Sequence, residues 1–300
     1  MTAAVKPVRW SDGTKSGQMT IVHDPAEMQE LANRMREAGM VIGFVPTMGF
    51  LHEGHASLLH AARRQSDAVV LSIFVNPTQF GPDEDLDKYP RDMERDERIA
   101  RKEGVDCVFY PEPSTMYPSG FQTYVTVEQL TRSHCAVSRP VHFRGVSTVC
   151  SKLFNIVLPH RAFFGQKDYQ QAAVIRRMVE DLNMNLEIVV LPTVREADGL
   201  AMSSRNAYLG PEERKDALCL YEALQSAKQM VGAGETVAAR IVAAMREHIE
   251  RRPLARVDYV SIADTHTLEE VDIIEKEAVA LLAAFVGKTR LIDNEILRVD

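Results

Sequence analysis

The chain has 300 residues, enough for two domains that each bury a core of their own, and its mix of 45% hydrophobic and 26% charged residues is that of an ordinary globular protein. A formal net charge of −7 excludes a broad attraction to nucleic acid or anionic membrane and leaves room only for a local basic pocket. The four cysteines, Cys107, Cys135, Cys150 and Cys219, lie far apart without a CxxC pair, which suits free thiols in a reducing cytoplasm, and the longest apolar run, residues 278–286, is too short to cross a bilayer.

Residues 1–18 carry Lys6, Arg9 and Lys15 without an apolar core, so they read as a loosely held extension and not as a secretory signal. A first strand is predicted at 19–23 and a helix at 25–38. The run Val41, Ile42, Phe44 and Val45 suits a strand covered on both faces, which Pro46 is expected to end. Gly49 and Gly54 then allow a tight turn. His55, Leu58, Leu59 and Ala62 recur at i, i+3, i+4 and i+7, one face of a helix, and His52 extends that stripe one turn earlier. Two imidazoles are thus expected at a helix N-terminus just past the carboxyl end of a strand, where α/β sheets bind ligands and free N–H groups favour phosphate. A lone histidine there is commonly a core-edge residue bonded to backbone; two flanking Glu53-Gly54 weigh against that. Their spacing of three excludes a zinc-protease helix, and no Gly-Lys-Ser/Thr follows to make a P-loop.

Further strands are predicted at 68–75, 106–110, 122–127, 161–164 and 186–191, and helices at 92–102, 146–157 and 168–182. The first of these strands stops at the polar turn Asn76-Pro77-Thr78-Gln79. Asp83, Asp85 and Asp87 read as a solvated acidic loop. The alternation implies an α/β fold with a doubly wound parallel sheet. Past Pro192 the texture changes: a polar stretch at 195–206, helices at 211–230 and 237–251, and strands at 258–262 and 279–285. The expected division is an extension at 1–18, a Rossmann-like domain at 19–193 and a smaller α+β domain at 194–300, with the polar stretch between the two domains, a favoured place for ligands.

Gly165-Gln166-Lys167-Asp168 repeats the logic of the first turn: strand end, glycine, helix start. Asp168 fits an N-cap that Gln171 would complete as a capping box. That leaves Lys167, a cation at the positive end of a helix, to be offset by a bound anion. Gln171 shares a helix face with Ile175, Met178 and Leu182, which aims its amide towards the sheet. Met202-Ser203-Ser204-Arg205 adds two hydroxyls and a guanidinium in a loop.

His52-Glu-Gly-His55 resembles the HxGH signature of the nucleotidylyl transferases, and the longer string from Pro46 to His55 resembles the pantoate–β-alanine ligases among them. The resemblance spans nearly the whole chain, through the segments 74–81, 89–91, 164–171, 195–206 and 287–294; Phe50 departs from it, standing where a smaller residue is common. It implies a Rossmann-like fold of the HxGH type and ATP-dependent condensation of pantoate with β-alanine through a pantoyl adenylate, releasing AMP and pyrophosphate. It also implies ATP with Mg2+ as co-substrate, and a cytoplasmic homodimer that acts on small molecules and engages neither nucleic acid nor membrane. By the same resemblance, Met48, Gly49, Phe50, Leu51, His52, Glu53, Gly54 and His55 cradle the triphosphate, and Gly165, Gln166, Lys167, Asp168 and Val194 hold the adenosine. Met202, Ser203, Ser204 and Arg205 correspond to a KMSKS-type loop. His55 is the expected principal proton donor, assisted by His52, with Lys167 and Arg205 neutralising phosphate charge. Gln79 and Gln171 would receive pantoate, and Asn76 the second substrate or the ribose. No acidic pair is spaced to name as a metal site. The competing readings are another HxGH adenylyltransferase with a phosphate-bearing acceptor, a tRNA-charging enzyme, and a non-catalytic nucleotide-binding module. Neutral Gln79 and Gln171 disfavour the first, the acidic balance the second, and paired imidazoles beside a cationic loop the third.

Overall fold

A computed structural model describes residues 19–82 and 84–299, so the expectations for the extension and for Asp83 lie outside the described residues. Two compact units divide the chain. Unit 1 takes in residues up to Val125, Arg144–Phe164 and Met178–Leu191; unit 2 takes in Thr126–Phe143, Gly165–Arg177 and the residues from Pro192 on.

The centre of unit 1 is a six-stranded parallel sheet of β1 (Thr20–Val22), β2 (Ile42–Thr47), β3 (Ala68–Ile73), β4 (Cys107–Phe109), β5 (Arg161–Gly165) and β6 (Glu187–Leu191). The strand order is β1-β4-β3-β2-β5-β6. All six residues of β3 are buried, as expected of a strand covered on both faces. Its helices are α1 (Pro25–Glu37), α2 (Glu53–Gln65), α3 (Met93–Lys102), the short α4 (Pro113–Met116) and α6 (His142–Val157, of which the residues from Arg144 belong here), while the short α5 (Cys135–Ser138) belongs to unit 2. Local chemistry sets their ends. Asp24 accepts from the N–H groups of Ala26 and Glu27 to start α1, and Asp92 accepts from Arg95 N to start α3. Leu58, Leu59 and Ala62 of α2 join Val45, Leu71, Val108 and Phe163 of the sheet in one core. The strand order reverses between β2 and β5, so the loop leaving β2 lies at the switch point where such sheets bind ligands.

Unit 2 contains an antiparallel sheet of β7 (Ala255–Ala263), β8 (Glu277–Val286) and β9 (Thr289–Arg298), in that order. Its helices are α7 (Tyr169–Asp181, of which the residues up to Arg177 belong here), α8 (Pro211–Ala217), α9 (Cys219–Gly232) and α10 (Ala238–Glu250). Leu220, Leu224, Ile241, Met245, Val260, Ile262, Leu282 and Leu291 meet in its core.

Several expectations are corrected. β2 continues through Pro46, which is opposite Ser72 of β3, while the recorded β5 partners of β2 are only Gly43 and Phe44. Beyond those two residues Pro46 has no ladder bond to lose on that side. Residues 122–127 form no strand, because the N–H of Val125 donates to the Thr148 hydroxyl (3.0 Å) and not to a neighbouring strand. Helix 168–182 begins one residue later, at Tyr169, and the chain enters it through a 3-10 turn, Gln166–Asp168, that was not expected. Helix 211–230 is two helices that meet at Leu218. The C-terminal sheet has a third strand, β9, joined to β8 by the two-residue turn Gly287-Lys288, with Gly287 at φ +57°.

The turn from β2 to α2 has unusual backbone. Gly49 has φ +84° and Phe50 φ +51°. A Cβ at Gly49 would lie 2.9 Å from both Asp96 Oδ2 and Ile73 Cγ2, so glycine is required there on space as well as on angle. Phe50 carries the left-handed cost of roughly 1–2 kcal/mol. The compensation comes from Asp96 on α3, 1% exposed, whose two carboxylate oxygens accept from Phe50 N (2.8 Å) and Leu51 N (2.6 Å). Burial pushes the Asp96 carboxyl above its usual range, and the Leu51 and Phe50 N–H groups and Arg95 pull it back. Bonds to a charged acceptor are worth about 1.5–3 kcal/mol each, so the pair outweighs the strain.

Asp96→Asn offers one acceptor where two donors converge, so it should lower stability by about 2 kcal/mol in urea unfolding; unchanged stability would contradict the bracing role. In unit 2, Arg195 donates from Nη1 and Nη2 to Asp293 (2.6 and 3.0 Å), whose carboxylate is almost wholly buried. Asp293→Ala leaves the guanidinium unpaired and should cost about 3–5 kcal/mol by the same measurement. A loss under about 1 kcal/mol would mean that the pair does not anchor the 195–206 segment.

Candidate active site

His52 is the N-cap of α2 and His55 its third residue. Gly54 N donates to His52 Nδ1 (3.2 Å), and His52 N donates to His55 Nδ1 (3.3 Å). A backbone N–H can only donate, so each Nδ1 must be an acceptor, and in the neutral ring the hydrogen then sits on Nε2. The rings lie side by side with centroids 4.1 Å apart and are half-buried. As caps, the two histidines do what Ser or Asp would do with a smaller side chain. What imidazole adds beyond such a cap is a second ring nitrogen. Both rings stand at the positive end of a thirteen-residue helix, the end that favours negative charge.

Beside this turn stand Asn76 and Gln79, which follow β3. Asn76 is 1% exposed, and its Nδ2 donates to Gln79 Oε1 and to the Gly145 carbonyl (3.1 Å each). Its Oδ1 accepts from the hydroxyls of Tyr117 (2.8 Å) and Thr78 (3.0 Å). Gln79 Nε2 points to Met48 Sδ at 3.1 Å, which sets the amide against the histidine turn. Among the sequence candidates of unit 1, the structure therefore brings together Met48, the 49–55 turn, Asn76 and Gln79. A hollow of about 200 Å³ also opens at the carboxyl ends of β2, β3 and β4, lined by Gly49, Phe50, Phe74, Arg91, Asp96 and Tyr110 among others. Met48, Gly49 and Phe50 of the turn line it and the two imidazoles do not.

The remaining candidates belong to unit 2. Lys167 Nζ lies 3.5 Å from Asp168 Oδ1, so its neighbour supplies the counter-charge that the sequence left open. Asn294 of β9 donates to the carbonyls of Gln166 and Lys167 (2.9 Å each) and fixes that turn. Gln170 is buried and spent on Cys135 N and the carbonyls of Leu130 and Ser133, whereas Gln171, one residue on, is half-buried. The 194–206 segment is a tied loop: Met202 N donates to the Val194 carbonyl, Arg195 bridges to Ala201, and Asn206 donates to Glu196. Ser203 caps the 3-10 turn Ser204–Tyr208 by accepting from Arg205 N, with Ser204 buried and Arg205 half-buried. Strand β9 packs against both this turn and Gln166–Asp168, which places the Lys167 and Arg205 turns on one strand.

Sequence reasoning missed Asp96, Tyr117, Asn294 and the Arg195–Asp293 pair. Asp96 alone left a signal, an acidic residue four before Ala100 on the buried face of α3.

Among the described residues no group of three or more His, Cys, Asp or Glu side chains is placed to hold a metal ion, and no helix is long and apolar enough to cross a membrane. The four cysteines are free and buried.

The sequence profile of the Pantoate-beta-alanine ligase family matches residues 20–296. The pantothenate synthetase of Thermotoga neapolitana is 56% identical over 279 residues, covering 93% of this chain and 100% of that protein. That of Syntrophus aciditrophicus (strain SB) is 54% identical over 278 residues, covering 93% and 97%. The crystal structure of pantothenate synthetase from Thermus thermophilus matches with a TM-score of 0.88 at 47% identity over 92% of this chain and 99% of that one. A pantoate-beta-alanine ligase from Francisella tularensis, complexed with beta-gamma ATP and beta-alanine, matches with a TM-score of 0.78 at 32% identity over 93% and 98%. With the histidine turn, the parallel sheet and a profile that runs almost end to end, this chain belongs to the pantoate–β-alanine ligase family.

Proposed function

We propose that this pantoate–β-alanine ligase works through a pantoyl adenylate. In the first half-reaction a pantoate carboxylate oxygen attacks the α-phosphorus of ATP, the bond from that phosphorus to the bridging oxygen breaks, and pyrophosphate leaves. In the second, the β-alanine amine attacks the acyl carbon, the carbon–oxygen bond to phosphate breaks, AMP leaves, and the amine gives up a proton. No covalent enzyme intermediate is needed, because both steps require positioning and charge stabilisation more than a nucleophile.

The observation that supports this reading is the pair of Nδ1 atoms tied to backbone, which puts the hydrogen of each neutral ring on Nε2 at the start of α2. In the proposal His55 and His52 donate to phosphate oxygens that gain charge, with Met48–Glu53 and Gly54 shaping the cradle. Lys167 and Arg205 neutralise the same triphosphate, Gly165, Gln166, Asp168 and Val194 hold the adenosine, and Met202, Ser203 and Ser204 belong to the loop that carries Arg205. Gln79 and Gln171 receive the hydroxyls of pantoate with neutral amides, which suits this acid and disfavours a phosphate-bearing acceptor. Mg2+ enters as part of the nucleotide substrate, held by its phosphates. The reading includes a cytoplasmic homodimer; sedimentation at working concentration gives a two-chain mass if that is right and a single-chain mass if it is wrong.

Asn in place of His55 keeps an oxygen where Nδ1 accepts from the backbone and removes the Nε2–H. His55→Asn should therefore stay folded yet slow pantoate-dependent ATP–pyrophosphate exchange by about a hundred- to a thousandfold. Exchange near the wild-type rate would take His55 out of the mechanism, and exchange in wild type without pantoate would refute the assigned reaction. Arg205→Met should slow the same exchange about a hundredfold while leaving the KM for β-alanine unchanged; a normal rate would dissociate Arg205 from the triphosphate.

A further inference from the structure

Behind Gln79 runs a chain of hydrogen bonds whose polarity can be worked out from backbone groups alone. The Gly145 carbonyl can only accept, so the Asn76 atom 3.1 Å from it must be the amide nitrogen. The Thr78 N–H can only donate, so the Asn76 atom facing it must be the oxygen. These two contacts fix the Asn76 amide independently of each other. With its nitrogen so placed, the Gln79 atom 3.1 Å away must be the acceptor Oε1, and the Gln79 NH2 is turned to the other edge, towards Met48. A flipped Gln79 would set two NH2 groups against each other.

Tyr117 closes the chain. Its hydroxyl donates to Asn76 Oδ1 at 2.8 Å, the shortest bond in the set, beside the Thr78 hydroxyl, which donates to the same oxygen at 3.0 Å. Burial pushes the phenol up to about 12, so it keeps its proton at neutral pH. The ring packs against Phe74 (6.3 Å between centroids) and Phe121 (5.0 Å). On the opposite side, a Cβ at Gly145 would run into the Thr78 carbonyl and the Gln79 Cα, so only glycine lets the carbonyl that Asn76 reads come this close. Asn76 has both amide hydrogens engaged and almost no exposed surface. It is built to orient its neighbour.

We propose that Tyr117 is a positioning residue for the acid substrate: acting through Asn76, it holds the Gln79 amide with its NH2 edge towards Met48 and the turn that follows it, so that the subsite selects a hydrogen-bond acceptor, an oxygen of the hydroxy acid. The inference rests on the assignment of Gln79 to pantoate. The contact it replaces, to the Met48 sulfur, is a weak one that a substrate oxygen displaces readily.

Steady-state kinetics on the full chain test it in a double-mutant cycle of Tyr117→Phe and Gln79→Ala, with thermal unfolding recorded for each variant. Tyr117→Phe keeps the ring and removes the donor. It should raise the KM for pantoate about five- to tenfold, the loss of one neutral hydrogen bond, with the KM for ATP within about twofold of wild type. In the Gln79→Ala background the same substitution should change the pantoate KM by less than about twofold, because the group it orients is gone. Equal effects in both backgrounds, or a parallel rise in the KM for ATP, would reduce Tyr117 to general packing and overturn the proposal. If Gln79→Ala raises the pantoate KM but Tyr117→Phe does not, the relay is wrong and the pantoate subsite stands. If Gln79→Ala itself leaves the pantoate KM unchanged, the subsite assignment falls and the relay with it. Should Tyr117→Phe fail to fold, Thr78→Val removes the other hydroxyl on the same Asn76 oxygen and runs the same cycle.

Discussion

Two adjacent backbone N–H groups, of Phe50 and Leu51, converge on one carboxylate buried in α3, and the position of both imidazoles follows from that contact. Without it the chain leaving β2 would have to hold Gly49 and Phe50 at positive φ with nothing to offset the strain. With it, Leu51 is driven into the core at 0% exposure and His52 falls at the point where α2 starts. These charge-assisted hydrogen bonds join the third helix to the segment after the second strand, residues far apart in sequence.

From that turn the chemistry is largely a matter of which nitrogen carries a hydrogen. Each histidine spends Nδ1 on backbone, which in the neutral ring leaves the hydrogen on Nε2. A proton added at Nδ1 would break the cap, so the cap itself maintains the tautomer. Gln79 is organised by the same principle, since backbone groups that can only donate or only accept dictate, through Asn76, which edge of its amide faces outward. In both cases rigid backbone polarity has been converted into fixed side-chain polarity, the preorganisation that transition-state stabilisation calls for.

Much of this was legible in the sequence. The apolar run before Pro46 and the stripe His55, Leu58, Leu59, Ala62 identified β2, α2 and the helix start between them, because burial on two faces and on one face leave different periods. The alternation of elements gave the parallel sheet. Other features were out of reach because they depend on partners distant in sequence. Asp96 left only the hint of an acidic residue on the face of α3 that carries Ala100, and its partners, residues 50 and 51, came with the fold. Residues 122–127 had the composition of a strand, but a strand exists only where an edge is free to pair, and here Thr148 takes the Val125 N–H. The chain enters α7 through a 3-10 turn, Gln166–Asp168, that Asn294 holds from β9, a contact between residues far apart in sequence. The Gly287-Lys288 turn carried a short-range signal for a hairpin that was read only as part of a motif.

The account depends most directly on the protonation pattern of two rings, which long-range proton–nitrogen correlation NMR on uniformly nitrogen-15-labelled protein reports. It predicts that His52 and His55 both show a protonated Nε2 and a bare, hydrogen-bonded Nδ1 at neutral pH, and that both Nε2–H signals move when ATP is added. Rings protonated at Nδ1, or Nε2–H signals indifferent to ATP, would contradict it.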